Sequence, residues 1–212
     1  LTGFTVTVEV FVVSPSFILN SKDVIEAFKS KDHMLCQEII KNDRLINDME
    51  RQVESRVFGI ILREQPVASD LRLVTSALKI VTDLERIGDQ CADIADLIVH
   101  LNEQYHYKSL EHIPLMAKKT KLMVREAVEA FVRQDLQLAY MVKNMDDEID
   151  GLFQEVKYEV SQVLKDDIDH ADTCLDFLMI AKYLERIGDH ADNICEWVEF
   201  NITGEVNHQR II

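Results

Sequence analysis

Two carboxylates one helical turn apart on one face can share a hard cation, and within its duplicated segments this chain carries that spacing at Glu85/Asp89, Asp146/Asp150 and Glu185/Asp189. A fourth pair, Asp43/Asn47, has an amide in place of the second acid. The word Leu84-Glu85-Arg86-Ile87-Gly88-Asp89 recurs unchanged as Leu184-Glu185-Arg186-Ile187-Gly188-Asp189, 100 positions later. At 3.6 residues per turn, Glu85, Asp89, Asp93 and Asp96 fall within about 80° of one another, and Glu185, Asp189, Asp192, Asn193 and Glu196 within about 100°. The ordinary meaning of such a stripe is a solvated helix face. Like charges at this spacing repel by a few tenths of a kcal/mol per pair, so a stripe spent twice points to a compensating positive ligand.

Oxygen-only ligand sets of this kind favour hard cations: Mg, Mn, Ca or ferric iron. Zinc fits less well, because no His or Cys cluster accompanies the acids. The expected metal ligands are Asp43, Glu85, Asp89 and Asp93 in the first half and Asp146, Asp150, Glu185 and Asp189 in the second. Asn47 supplies a carbonyl oxygen but no charge, so a count of carboxylates predicts the second site to be the stronger. His190 follows Asp189 and reads more readily as a packing residue than as a ligand. No pattern for a nucleophile with its base, a phosphate-cradling glycine loop or a nucleotide fingerprint is present, so no catalytic residue is expected.

The elements that must position these acids are helices. Ile80, Ile87, Ile94 and Ile98 lie roughly opposite the acids of the first repeat, and Asp146 and Asp150 border a stripe of Val142, Ile149, Val156, Val160 and Val163. Glu26-Ala27-Phe28 with Asp32 matches Glu129-Ala130-Phe131 with Asp135 at an offset of 103, and Asp43, Ile46 and Asn47 match Asp146, Ile149 and Asp150 at the same offset. The offset then falls to 100, which places three extra residues in a loop around Gln65-Pro66-Val67-Ala68-Ser69-Asp70. Punctuation predicts helices ending near Lys31 and spanning about Asp32 to Arg63 and Ser69 to Glu103, then Leu115 to Arg133 after Pro114, Asp135 to Leu164, and His170 to Ile202 with Gly204 as stop. The expected fold is all-α: two pseudo-symmetric three-helix bundles, six long helices, from a tandem repeat. The halves run from 17 to 108 and from 112 to 204. Residues 1–16 alternate like a strand at Thr5 to Val10 and fit no helix. Gly88 and Gly188 fall in mid-helix, where each costs about 1 kcal/mol relative to Ala, so a close approach by a neighbouring helix or an ion is expected there.

Composition supports this reading. Hydrophobic residues make up 47% of the 212 positions, enough for a substantial core, with only six Gly and three Pro. A net charge of −15 disfavours nucleic acid or an anionic membrane surface as partner. Lys118, Lys119, Lys121 and Arg125 read as one solvated helix face. Cys36, Cys91, Cys174 and Cys195 form no CxxC pair and fit reduced core thiols. No apolar run reaches membrane-spanning length and no secretory signal is legible.

With these residues in hand, the chain resembles the PhoU family of phosphate-signalling proteins over roughly residues 22–204. The resemblance rests on Asp43-x-x-Ile46-Asn47, on Gln65 to Arg72, and on the two Glu-x-x-x-Asp elements, the second continued by His190-Ala191-Asp192-Asn193-Ile194. It implies a non-enzymatic, cytoplasmic regulator with acidic motifs that hold metal clusters, iron in some members. The implied partners are a phosphate ABC transporter and a sensor histidine kinase, with the membrane reached only through them; a homodimer is compatible with this picture. Asn47 departs from the family's usual Asp. The rival reading is a di-metal carboxylate enzyme of the ferritin-like oxidase kind. Its Glu-x-x-His spacing occurs here only at Glu103/His106 and Glu205/His208, near predicted helix ends.

Overall fold

Two aspartates at the offset of 103 begin equivalent helices in the same way. Asp32 accepts hydrogen bonds from the Met34 and Leu35 amides, at 3.0 and 3.1 Å, at the start of α1 (His33–Glu64). Asp135 accepts from the Leu138 amide at 3.0 Å at the start of α4 (Leu136–Asp166). In both turns the Asp backbone N–H also returns to an alanine carbonyl, Asp32 to Ala27 and Asp135 to Ala130. The repeated Glu-Ala-Phe…Asp signature is therefore a helix stop fused to a helix start, the side-chain oxygen taking up amides that have no intrahelical partner.

The computed structural model describes residues 24, 26–28, 30, 32–101, 111–166, 168–206 and 209–210. Residues 24, 26–28 and 30 are helical and precede α1. After α1 come α2 (Ser69–His100), α3 (His112–Arg133) and α4, then a short 3₁₀ turn (Ile168–His170) that leads into α5 (Ala171–Thr203). The protein is thus all-α, six helices in two groups of three. A two-residue antiparallel ribbon, Glu205–Val206 with Gln209–Arg210, is the only strand pairing among the described residues. The strand-like residues 1–16 lie outside the described residues.

Helix ends follow local chemistry. Gln65 takes a left-handed conformation after α1 (φ 48°), and Pro66 cannot continue a helix. Gly204 ends α5 at φ 81°, a conformation that glycine adopts without strain. The third helix of each half was expected to reach Glu103 and Ile202; α2 instead stops at His100, where Leu101 turns extended, and α5 runs to Thr203. Two further shifts are at α3, which starts at His112 rather than after Pro114, and at α4, which runs to Asp166 rather than Leu164. Pro114 sits in the first turn, where its missing N–H has no intrahelical acceptor to lose.

The core is built on α2 and α5, which pack along each other; α1 leans on α2, while α3 and α4 cover α5. Ile80, Leu84, Ile87, Ile94 and Ile98 of α2 and Leu184, Ile187 and Ile194 of α5 are buried. Phe28 meets Phe177 edge-on, with ring centroids 6.2 Å apart, which ties the leading helix to α5. All four cysteines are free and buried. Truncation at equivalent repeat positions checks this arrangement: Leu84→Ala and Leu184→Ala should each lose about 2–5 kcal/mol in urea unfolding. A loss below 1 kcal/mol at either site would contradict a shared core.

Candidate cation-binding seams

Because the isoleucine face of α2 points into the core, its acids emerge at the side where α1 packs. There Asp43, Asn47 and Glu50 of α1 meet Glu85 and Asp89 of α2. Asn47 Nδ2 donates to Asp43 Oδ2 at 3.2 Å. The other oxygens of this pair, Asp43 Oδ1 and Asn47 Oδ1, are buried atoms with no hydrogen-bond donor. Crowding raises the carboxyl pKa values. Glu85 goes from 4.5 to about 7, mainly through burial and then through the charges of Asp89, Glu50 and Asp43, with Arg86 opposing. Asp89 rises through burial, then through the charge of Asp43 and a hydrogen bond to it that needs a proton. Glu50 rises through burial and the charge of Glu54, while a hydrogen bond from Thr82 opposes the shift.

The second seam lies between α4 and α5 and gathers Asp146, Asp150, Glu185 and Asp189, joined by Asp192. Asp146 rises from 3.8 to about 6, through burial first and then the charges of Asp192, Asp150, Asp189 and Asp147. Asp189 rises through burial and the charge of Glu185, against Lys182. The helices come close here because residue 188 has no side chain: a Cβ on Gly188 would lie 3.3 Å from Ile149 Cδ1 and 3.4 Å from Asp146 Oδ1.

The structure brings seven of the eight expected ligands into these two seams and treats Asp93 differently. Asp93 feels the charge of Asp89 but also that of Arg186, and it accepts a hydrogen bond from Tyr183. It thus joins the first seam to the other half. His190 turns away from the acids of its own helix: its Nδ1 donates to Asp83 Oδ1 at 2.9 Å, both residues being buried between α2 and α5. Sequence reasoning missed Glu50, Lys182 and the Asp83–His190 pair. Glu50 corresponds to Phe153 in the repeat, so the duplication carried no signal for it.

Two observations bear on a cation. Unpartnered oxygens and carboxyls with raised pKa values are what a multivalent ion relieves, and an all-oxygen donor set suits a hard one. Among the described residues, however, no three His, Cys, Asp or Glu side chains are already gathered into a metal shell. The seams are open rows of acids, and the side chains have to close around an ion.

A family model described as the PhoU domain matches the chain twice, over residues 18–98 and 113–198. The chain belongs to the PhoU family. A phosphate-specific transport system accessory protein PhoU homolog from Clostridium acetobutylicum is 39% identical, over 86% of this chain and 84% of the relative. A homolog from Thermotoga maritima is 33% identical over 92% and 83%. The crystal structure of PhoU from Pseudomonas aeruginosa matches with a TM-score of 0.88 at 32% identity, covering 95% of this chain and 97% of that one. That of the phosphate transport system regulatory protein PhoU from Streptococcus pneumoniae matches at 0.90 and 26%, covering 98% of each. These PhoU relatives are named as accessory or regulatory proteins. Of the motifs that the oxidase alternative rests on, Glu103, His106 and His208 lie outside the described residues and Glu205 lies beyond α5.

The raised carboxyls give a signed pH dependence. A folded pKa above the unfolded one means that the folded protein holds the proton more tightly, so ionisation costs stability. Glu85 is neutral in both states below 4.5 and ionised in both above about 7, and its cost grows between those values. In the metal-free protein, Glu85→Gln should therefore gain stability over wild type progressively from pH 4.5 to 7, read as the difference in urea midpoints. A difference that shrinks over this interval would mean that Glu85 is not crowded as described.

Proposed function

We propose that this protein regulates phosphate uptake and the phosphate-starvation response, linking a phosphate ABC transporter to a sensor histidine kinase. The observation that carries the phosphate role is the double PhoU domain match, together with relatives named as phosphate transport accessory proteins. Among the described residues no helix is long and apolar enough to cross a membrane. We place the protein in the cytoplasm, reaching the membrane through its partners and able to act as a homodimer.

In the same reading the two seams hold hard cations, iron clusters or Mg, Mn or Ca. Asp43, Glu85 and Asp89, with the carbonyl of Asn47 and help from Asp93, would hold the first; Asp146, Asp150, Glu185 and Asp189 would hold the second. What supports this is the pair of donorless oxygens on Asp43 and Asn47 and the raised carboxyls around them. A bound ion would neutralise the repulsion across each seam and draw paired helices together. It supplies charge and cross-bracing, with no turnover.

Deleting the protein should leave phosphate-starvation genes switched on in phosphate-rich medium, as read by a reporter of such a gene. Normal repression in the deletion strain would refute the regulatory role. Asn47→Asp should tighten cation binding at the first seam by adding the missing charge, measured by calorimetry. Unchanged or weaker binding would show that position 47 does not face the ion.

A further inference from the structure

The two seams are near copies in their acids but not in their cations. Lys182 Nζ forms an ion pair with Glu185 and lies 5.4 Å from the ring centroid of Phe153, and its charge also acts on Asp189. Lys143, farther along the same groove, lies 3.7 Å from Glu196 Oε1 and opposes the shift of Asp192. The repeat replaces both in the first half: Thr82 stands for Lys182, and Ile40 for Lys143. It also puts the acid Glu50 where the second half has Phe153, the aromatic platform under the ammonium.

We propose that Lys182 is a built-in counter-ion of the second seam, so that the first seam binds a multivalent cation more tightly and the second more weakly. This rests on the cation-binding reading of the seams given above. It reverses the order obtained by counting carboxylates, which ranks the first seam lower on account of Asn47.

The argument is one of competition. An ammonium within ion-pair distance of Glu185 repels an incoming cation and occupies a ligand that the cation needs. To bind there, an ion has to displace Lys182 from Glu185 and from the Phe153 face, giving up an ion pair and a cation–π contact. The Lys182 side chain is 43% exposed, so it can swing into solvent, and the effect is a lowered affinity rather than a closed site. In the first seam the corresponding group is the Thr82 hydroxyl, which bonds Glu50 and brings no charge. The described donorless oxygens of the two seams, on Asp43 and Asn47, both belong to that first seam.

The test is a Mn²⁺ titration of the full, metal-free chain, with free Mn²⁺ counted by electron paramagnetic resonance. Asp89→Asn removes the first seam and Asp189→Asn the second, while circular dichroism checks the fold. Asp89→Asn should abolish the tighter step. On that background Lys182→Met should tighten the remaining site at least fivefold, whereas Lys182→Arg, which keeps the charge, should leave it weak. Thr82→Lys on the Asp189→Asn background should weaken the first seam at least fivefold. The proposal is overturned if Lys182→Met changes affinity by less than fivefold, or if the tighter step disappears with Asp189→Asn instead. Absence of Mn²⁺ binding in wild type and every variant would overturn the cation-binding reading itself, and this proposal with it.

Discussion

The packing of α2 against α5 fixes what every other part of the molecule can do. Both helices turn their isoleucine and leucine faces inward, and the buried apolar area, contributing about 25 cal/mol per Å², holds them in that rotation. Once they are so oriented, the acids that alternate with those apolar residues have to leave the core sideways. On one side they meet α1, held down by Ile39, Ile46, Val53 and Val57; on the other they meet α4, held by Val142, Ile149 and Val156. Half-burying carboxylates beside one another is unfavourable, and it persists because apolar burial elsewhere on the same helices offsets it. The strained electrostatics of the seams thus follow from hydrophobic burial.

Much of this was legible in the sequence, because a duplicated chain reports its own constraints. A feature kept in both copies has a reason in both: Asp32 and Asp135 cap helices, and the two Glu-x-x-x-Asp words line seams. Periodicity then tells which face of a helix is buried. Neither signal says which long side chain on a neighbouring helix reaches across. Glu50 and Lys182 were missed for that reason, each being present in one copy only. Pro114 misled the placement of α3 because a proline reads alike just before a helix and inside its first turn. Asp93 was expected as a ligand from its place in the stripe. The stripe cannot reveal Tyr183 and Arg186, which approach it from the other half.

The halves therefore share a frame and differ in the groups that modulate it. Helix caps, apolar faces and the principal acids recur at fixed offsets, whereas the lysines, the phenylalanine platform and Asn47 do not. The recurring set makes the fold, and the unmatched set gives each seam its own charge balance. A protein with two identical seams would respond to a cation in one step; one with unlike seams can respond in two, over different concentrations.

The pair Asp83–His190 acquires a meaning when the repeat is laid over it. The position corresponding to His190 in the first half is Gln90, and that corresponding to Asp83 in the second is Tyr183. If α2 packed on the α2 of another copy in the register it uses with α5, Asp83 would face Gln90, which cannot pair with a buried carboxylate as an imidazole can. If α5 packed on another α5, His190 would face Tyr183 and lose its acid. Only unlike halves satisfy both groups. In a chain whose halves are similar enough to mistake each other, such a buried contact would favour assembly within a single molecule over exchange between molecules.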